Sequence, residues 1–192
     1  MLHAAKLPWR GVHYIVYDLE ATCWPNRPPG VRQEIIEVGA FKLTGGGEAV
    51  QSFQAFVRPV VHPMLSPFCQ ELTGISQPQV NAADRWPEVA EDFLEFVGYY
   101  DEEDYLLCSW GDWDAKQLRR DCRLHDLDED WVAPAIDLKR QYQRIHRLKK
   151  PRGLAKSLRV EGYEWEGEPH RAIDDARNTV KLFLAHLDEW AH

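Results

Sequence analysis

The chain has 192 residues, of which 44% are hydrophobic and 28% are charged. These values are typical of a soluble globular protein and predict a single domain over residues 1–192. The net charge of −8 at pH 7 excludes a uniformly basic protein of the kind that coats nucleic acid. No apolar stretch approaches the roughly 20 residues of a membrane span, and the first residues lack the apolar segment of a secretion signal. We therefore expect a cytoplasmic protein with no membrane partner and with reduced cysteines.

The first third of the chain predicts three strands. Residues 12–18 form an apolar run that enters a loop rich in proline and glycine, and residues 34–43 form a second apolar run. Three consecutive glycines at 45–47 predict a turn into a third strand at about 49–58. Strands that follow one another in this way favour an antiparallel meander.

The rest of the chain predicts helices around one further strand. Apolar residues recur at helical spacing, as Val89, Phe93 and Val97 do. Residues 105–108 are apolar and flanked by helices, which is typical of a buried parallel strand. A meander followed by alternating elements indicates an α/β fold with a mixed sheet and helices on both faces. The predicted helices run from Ser66 to about Leu72 and over 86–97, 113–125, 138–148, 153–158 and 171–190.

Asp18 and Glu20 flank Leu19 at the end of the first predicted strand. Residues two apart on a strand point to the same face, so both carboxylates project together. Carboxylates this close resist ionisation unless a cation lies between them. Mg²⁺ takes oxygen ligands and often shares its coordination with substrate phosphates. The pair therefore indicates a Mg²⁺ site for cutting phosphodiester bonds.

Three residues from later in the chain are candidates for the same site. Asp114 begins a predicted helix, and Asp175 lies in the first turn of the last helix. His170 precedes Asp175 by five residues, on a loop where Gly167 and Pro169 allow the chain to turn. Two metal ions about 4 Å apart can drive an in-line displacement at phosphorus, and they need carboxylates from different parts of the chain. A histidine, with its near-neutral pKa, suits the role of general base.

Neighbouring residues offer alternatives to two of these candidates. Asp112 would face the same way as Asp114 if the segment between them were extended, although the helical pattern starts near it. Asp174 lies beside Asp175 and fits a helix cap better than a metal ligand. Trp24 and Trp110 are candidates for stacking on bases, with ordinary packing as the alternative role.

Residues 138–160 contain nine lysines and arginines and no acidic residue. A cationic segment within an acidic protein can hold a polyanion locally, while overall repulsion keeps nonspecific affinity low. A solvated helix face that balances the acidic remainder is the alternative interpretation.

Taken together, these motifs resemble those of the DEDDh 3′–5′ exonucleases of the ribonuclease H-like superfamily. The ordered motifs are Asp-x-Glu, a mid-chain aspartate in a Trp-Asp-x-x-x-Leu context, and His-x₄-Asp. Within the superfamily the chain looks most like the histone-mRNA 3′-exonuclease and KapD-like subgroup. The similarity covers roughly residues 12–187, which we take as the core of the predicted domain. The matching stretches are 18–23, 34–37, 56–59, 62–63, 65–69, 71–75, 109–111 and 170–176.

The resemblance implies a ribonuclease H-like α/β fold with a central mixed five-stranded sheet flanked by helices. It implies two Mg²⁺ ions, replaceable by Mn²⁺, on Asp18, Glu20, Asp114 and Asp175. It further implies His170 as general base and the release of mononucleotides from RNA, or from single-stranded nucleic acid more generally, with a free 3′ end. Residues expected near the terminal nucleotide are Leu19, Ala21, Thr22, Phe68, Leu72 and Thr73.

The resemblance leaves two other functions open. A proofreading-type DNA exonuclease subunit would use the same chemistry on another substrate. A catalytically silent RNA-binding module would lack a carboxylate or the histidine, and all five are present. These 192 residues carry no appended nucleic-acid-binding segment like that of the histone-mRNA exonucleases. We therefore expect Lys149, Lys150 and Arg152 of the basic segment to supply part of the grip on RNA.

Overall fold

A five-stranded mixed sheet is the centre of the computed structural model, which describes residues 11–26 and 28–190. Its strands are β1 (His13–Ala21), β2 (Ile35–Leu43), β3 (Ala49–Phe56), β4 (Tyr105–Ser109) and β5 (Ala135–Asp137). The strand order is β3-β2-β1-β4-β5, with β1–β2 and β2–β3 antiparallel and β1–β4 and β4–β5 parallel. The meander and the mixed five-stranded sheet are therefore confirmed.

Helices cover both faces of the sheet. The sequence predicted six of the helices described below. The helix α2 (Gln77–Ala82) was not predicted, because its six mostly polar residues bury only Val80 and show no helical periodicity. The predicted helix 138–148 ends early, since Arg147 adopts the left-handed conformation at φ 50°. None of the helices in the described ranges is long and apolar enough to cross a membrane. The helices are α1 (Pro67–Thr73), α2 (Gln77–Ala82), α3 (Trp86–Val97), α4 (Trp113–Leu124), α5 (Leu138–Ile145), α6 (Leu154–Val160) and α7 (Ala172–Ala185).

Alternation along β1 decides which face of the sheet carries the acidic pair. Odd-numbered residues such as Tyr17 pack in a core with α3 and α4. Even-numbered residues such as Val16 pack in a second core with α5 and α7. Asp18 and Glu20 continue the even series, so they project from the face that α7 covers.

Gly39 on β2 allows the start of α7 to lie directly on the sheet. It is paired with Asp18 across the β1–β2 ladder. A Cβ atom at this position would overlap the backbone of Ala172 and Ile173 in the first turn of α7. The missing side chain therefore brings the first turn of α7, which contains Asp175, to the strand position of Asp18.

Candidate active site

Three carboxylates from two elements meet at this edge of the sheet. One oxygen each from Asp18, Glu20 and Asp175 lies within 4.8 Å of the others. All three side chains are half-buried, so solvent reaches the cluster. Oxygen atoms at this spacing suit a hard divalent cation, which takes carboxylate ligands from several elements at once.

Asp114 approaches the same cluster from a different direction. It is buried in the first turn of α4, which follows β4. Burial raises the pKa of Asp114, and the backbone N–H groups of Asp114 and of Leu19 oppose this rise, which places its carboxylate near the end of β1. Since β1 and β4 are parallel neighbours, their carboxyl ends open at one edge, where α/β folds place their sites.

The electrostatics of these four acids favour a bound cation. Burial raises the pKa of Glu20 to about 9, of Asp114 to about 7 and of Asp175 to about 6. The pKa of Asp18 rises well above its usual range, first through burial and then through the charges of Asp114 and Asp175. Desolvation and like-charge repulsion both disfavour the ionised acids, and a bound cation relieves both. Because every donor is a carboxylate oxygen, these residues fit a hard divalent metal ion.

The two neighbouring aspartates are engaged elsewhere. Asp112 is the N-cap residue of α4, and its Oδ2 lies 2.5 Å from Nζ of Lys116. The carboxylate of Asp174 accepts the backbone N–H of Glu168 at 3.0 Å. The expectation that Asp174 caps α7 is wrong, because the N-cap is Arg171 and Asp174 is the third helical residue. Its carboxylate instead holds the loop that precedes the helix.

His170 lies in that loop, exposed to solvent beside the cluster. Its backbone N–H donates to Oδ2 of Asp175 at 2.9 Å. It adopts the left-handed conformation at φ 63°, which is uncommon for any residue with a side chain. Strained backbone of this kind costs about 1–3 kcal/mol and concentrates at functional sites.

Glu37 and Arg171 position the start of α7, and the sequence interpretation missed both roles. Glu37 is fully buried on β2, directly opposite Glu20. Nε and one terminal nitrogen of Arg171 donate to its carboxylate at 3.1 and 3.0 Å, and the N–H of Ala172 donates at 3.0 Å. The signal available in the sequence was Glu37 itself, a charged residue inside the otherwise apolar run Ile35–Val38. A carboxylate buried in such a run needs a partner, which here is Arg171.

The residues predicted to lie near the terminal nucleotide fall into two groups. Leu19, Ala21, Thr22 and Thr73 are buried. Thr22 Oγ1 accepts the backbone N–H of Glu34 at 3.0 Å, and the Thr73 hydroxyl donates to the Cys69 carbonyl at 2.8 Å. These four side chains therefore contribute to packing and internal hydrogen bonds.

Phe68 and Leu72, by contrast, are accessible. They are four residues apart on α1 and therefore lie on the same side of the helix. Leu72 is 36% exposed, and Phe68 is half-buried. The Ser66 hydroxyl caps α1 and donates to the Cys23 carbonyl at 2.6 Å, which ties the helix to the chain just beyond β1. The two accessible apolar side chains thus lie on a helix whose start is held next to the segment that follows β1.

Part of the basic segment adjoins His170 and Asp175. Both residues line a cleft of ≈ 670 Å³, whose walls also include Trp165 and residues of α6. The basic residues in this lining are Lys156 and Arg159.

Lys149, Lys150 and Arg152 lie instead in the connection between α5 and α6. Lys149 and Lys150 are exposed. The Arg152 carbonyl accepts the indole N–H of Trp110 at 3.1 Å. The Trp110 ring also packs on Tyr142, with 5.3 Å between ring centroids, so this tryptophan has a packing role.

Comparison with known proteins identifies the family. Residues 15–183 match the family described as Exonuclease (RNase_T). ERI1 exoribonuclease 2 of Homo sapiens is 34% identical in an alignment that covers 88% of this chain and 28% of that protein. The 3′-5′ exoribonuclease 1 of Mus musculus is 33% identical in an alignment that covers 91% of this chain and 52% of that protein. The chain thus spans only about a quarter to a half of the length of these relatives.

A solved structure provides the second line of evidence. The nuclease domain of 3′hExo, a DEDDh family member bound to rAMP, superposes with a TM-score of 0.84 and 31% identity. The match covers 92% of each chain. On both grounds, the chain belongs to the exonuclease (RNase_T) family and to its DEDDh members.

Proposed function

We propose that this protein is a metal-dependent 3′–5′ exonuclease that removes mononucleotides from the 3′ end of RNA. The observation that carries the proposal is the convergence of Asp18, Glu20 and Asp175, joined by Asp114, with raised carboxyl pKa values. Such a cluster is unfavourable on its own and becomes favourable around cations. The similarity to a 3′-5′ exoribonuclease and to a nuclease domain bound to rAMP supports RNA as substrate.

DEDDh exonucleases use divalent metal ions, and this cluster would hold them. We assign two Mg²⁺ ions to the four carboxylates, and Mn²⁺ suits the same oxygen donors. When bound, the ions supply the positive charge that stabilises an in-line displacement at phosphorus. The protein contributes rigidity, because Glu37 and Gly39 of β2 fix the first turn of α7 against the sheet, beside Asp18 of β1.

His170 is the residue that we assign as general base. Its place in the loop beside Asp175 leaves the imidazole open to solvent and substrate. An imidazole at neutral pH accepts a proton from an attacking water, which raises the nucleophilicity of the oxygen. The strained backbone at His170 is consistent with a conformation kept for function rather than for stability.

Two features of the surroundings support a polynucleotide as the substrate. Phe68 and Leu72 are accessible apolar side chains on α1, and we assign them to contact with the terminal nucleotide. Lys156 and Arg159 provide positive charge in the cleft that His170 lines. Cations near phosphates release condensed counterions on binding, so affinity for RNA should depend on salt. We assign a weaker contribution to the exposed Lys149 and Lys150, which precede α6 in the chain.

The direct test is to incubate the purified protein with 5′-labelled single-stranded RNA, duplex RNA and single-stranded DNA. Each substrate is used with a free and with a blocked 3′ hydroxyl, in Mg²⁺, Mn²⁺ or EDTA. We expect a shortening ladder only with free 3′ ends and only with metal. Faster cleavage of DNA would favour the DNA exonuclease, and RNA binding without shortening would favour the silent module.

A pair of variants separates the proposed site from its surroundings. Asp114→Asn should lower activity to background, because it removes a carboxylate from the cluster. Asp112→Asn is the matched control, since its carboxylate pairs with Lys116 on the same helix turn. Equal activity of both variants would contradict the assignment of Asp114.

A further inference from the structure

A second cluster of potential metal ligands lies away from the carboxylates. Nε2 of His146 lies 3.4 Å from Nε2 of His186 and 3.4 Å from Oε1 of Glu161. Nε2 of His186 lies 3.8 Å from the same glutamate oxygen. Three ligand atoms from three different helices thus form a nearly regular triangle.

We infer that these three residues bind a zinc ion. Zinc is held at about 2.0–2.2 Å by histidine nitrogens and carboxylate oxygens, which places neighbouring ligands of a tetrahedron about 3.4 Å apart. The observed edges of 3.4, 3.4 and 3.8 Å match this spacing. Two histidines and one glutamate are a common donor set for zinc, with a water as the fourth ligand.

The backbone around the cluster also favours a cation. His146, Glu161 and His186 are the C-cap residues of α5, α6 and α7, respectively. The C-terminus of each helix carries a partial negative charge from its unpaired carbonyls. Three such ends and the Glu161 carboxylate therefore surround the point where the ligand atoms meet.

Hydrogen bonds outside the triangle orient its members. Nδ1 of His186 lies 2.6 Å from Oε2 of Glu189. A carboxylate there holds the hydrogen on Nδ1 and leaves the lone pair on Nε2, which is the tautomer that a metal requires. The buried Tyr142 donates its hydroxyl to Oε1 of Glu161 at 2.8 Å. These contacts are of the kind that position ligands in zinc sites.

The zinc site is distinct from the carboxylate site in place and in chemistry. Asp175 lies in the first turn of α7 and His186 at its C-cap, eleven residues later, which corresponds to about 16 Å of helix. Imidazole donors select zinc, whereas an all-carboxylate cluster suits Mg²⁺. The ion would link α5 and α6, the two helices of the basic segment, to the end of α7. Zinc binding should therefore stabilise the packing of α5, α6 and the end of α7.

Metal content and Co²⁺ spectroscopy of the whole chain test the inference. The protein is stripped with a chelator, dialysed, and titrated with Zn²⁺ or Co²⁺ in excess Mg²⁺. We expect one Zn²⁺ per chain, an intense visible absorption of tetrahedral Co²⁺ that Zn²⁺ abolishes, and a melting temperature that rises with Zn²⁺. His146→Gln should weaken Zn²⁺ binding by at least about 100-fold, and Glu189→Gln by about 10–100-fold, as is usual for supporting residues.

Two control variants make the result specific. His125→Gln removes another C-cap histidine, that of α4, and should leave Zn²⁺ binding unchanged. Asp18→Asn removes a carboxylate of the proposed active site and should also leave it unchanged. Zinc binding that survives His146→Gln, or that is lost in Asp18→Asn, would overturn the inference. Since the inference does not depend on nuclease activity, its failure would leave the proposed function intact.

Discussion

His170 adopts a backbone conformation that glycine and asparagine tolerate better than other residues. This property allows the imidazole to be removed without disturbing the loop. His170→Asn keeps both the left-handed conformation and the backbone N–H that donates to Asp175. We expect kcat to fall by about 10²–10⁴, the usual contribution of a general base, with little change in KM.

Steady-state kinetics on single-stranded RNA would measure this effect. The control is His62→Asn, which removes an imidazole that packs on the Trp24 ring. This variant should retain activity. Full activity of His170→Asn at neutral pH would mean that another group acts as the base.

Glu37 illustrates how one buried side chain supports the site without belonging to the cluster. Glu37→Gln loses the charge that pairs with Arg171 and weakens the contact with Ala172. Removing one partner of a buried ion pair costs about 3–5 kcal/mol, and partial exposure of Arg171 favours the lower end. We therefore expect a loss of about 3 kcal/mol in the free energy of unfolding, measured by urea denaturation, together with reduced activity.

The variants Arg171→Gln and Glu37→Gln/Arg171→Gln complete a double-mutant cycle. If the pair acts as a unit, the double variant should lose less stability than the sum of the single variants. Additive losses would show that Glu37 acts through Ala172 rather than through Arg171.

At the scale of elements, the contact of α7 with the β1–β2 pair determines whether Asp175 meets Asp18. Gly39→Ala adds a methyl group where the backbone of Ala172 and Ile173 lies. Since backbone cannot give way as a flexible side chain can, α7 must shift away from the sheet. We expect a loss of about 3 kcal/mol in stability, the upper range for overpacking, and a large loss of kcat.

The control for this variant is Gly46→Ala, in the turn between β2 and β3. A Cβ atom there meets only Thr44 Oγ1, at 3.7 Å. Gly46→Ala should therefore be close to neutral in thermal denaturation and in activity. Equal tolerance of both alanines would contradict the close approach of α7 to β2.

The basic segment divides into two parts that charge reversal can distinguish. Lys156→Glu/Arg159→Glu changes the cleft beside His170, whereas Lys149→Glu/Lys150→Glu changes the exposed connection before α6. Both pairs should raise KM for RNA, and the cleft pair should do so more strongly. Each lost phosphate contact should also reduce the slope of log affinity against log salt by about 0.7 on single strands. Unchanged kinetics in both variants would assign the segment to the solvated surface.

At the scale of the whole molecule, the carboxylate cluster should make stability depend on pH and metal together. The pKa of Asp175 is raised to about 6, of Asp114 to about 7 and of Glu20 to about 9, against about 4 when unfolded. At a pH between the unfolded pKa of about 4 and the raised folded pKa of each carboxyl group, the folded state binds more protons than the unfolded state. The free energy of unfolding therefore falls as the pH rises.

Thermal denaturation in EDTA from pH 6 to pH 9 measures this dependence. We expect the melting temperature to fall with rising pH in EDTA and to fall less in Mg²⁺ or Mn²⁺, which neutralise the cluster. Burial also raises the pKa of Asp121 to about 7, so a metal-independent part of the slope should remain. A slope in EDTA that metal leaves unchanged would contradict cation binding at the cluster.

The sequence was most informative where local pattern and structure coincide. The alternation in β1 predicts that Asp18 and Glu20 share a face, and the structure confirms it. Short elements were less predictable, since β5 has three residues and α2 has six. Such segments are too short to show a hydrophobic period. Their formation depends on neighbouring strands and helices that pair with them or cover them.

The sequence by itself therefore predicted the α/β fold class and the candidate carboxylates, because strand alternation is a property of the linear chain, and its ordered motifs carried the resemblance to the family. Only the tertiary structure decided that Glu37 and Gly39 of β2 hold the start of α7 against the sheet. It also brought three helix C-termini together around His146 and His186, which lie forty residues apart in sequence. These contacts join residues distant in the chain, and no local periodicity encodes them. They follow from the packing of helices on the sheet.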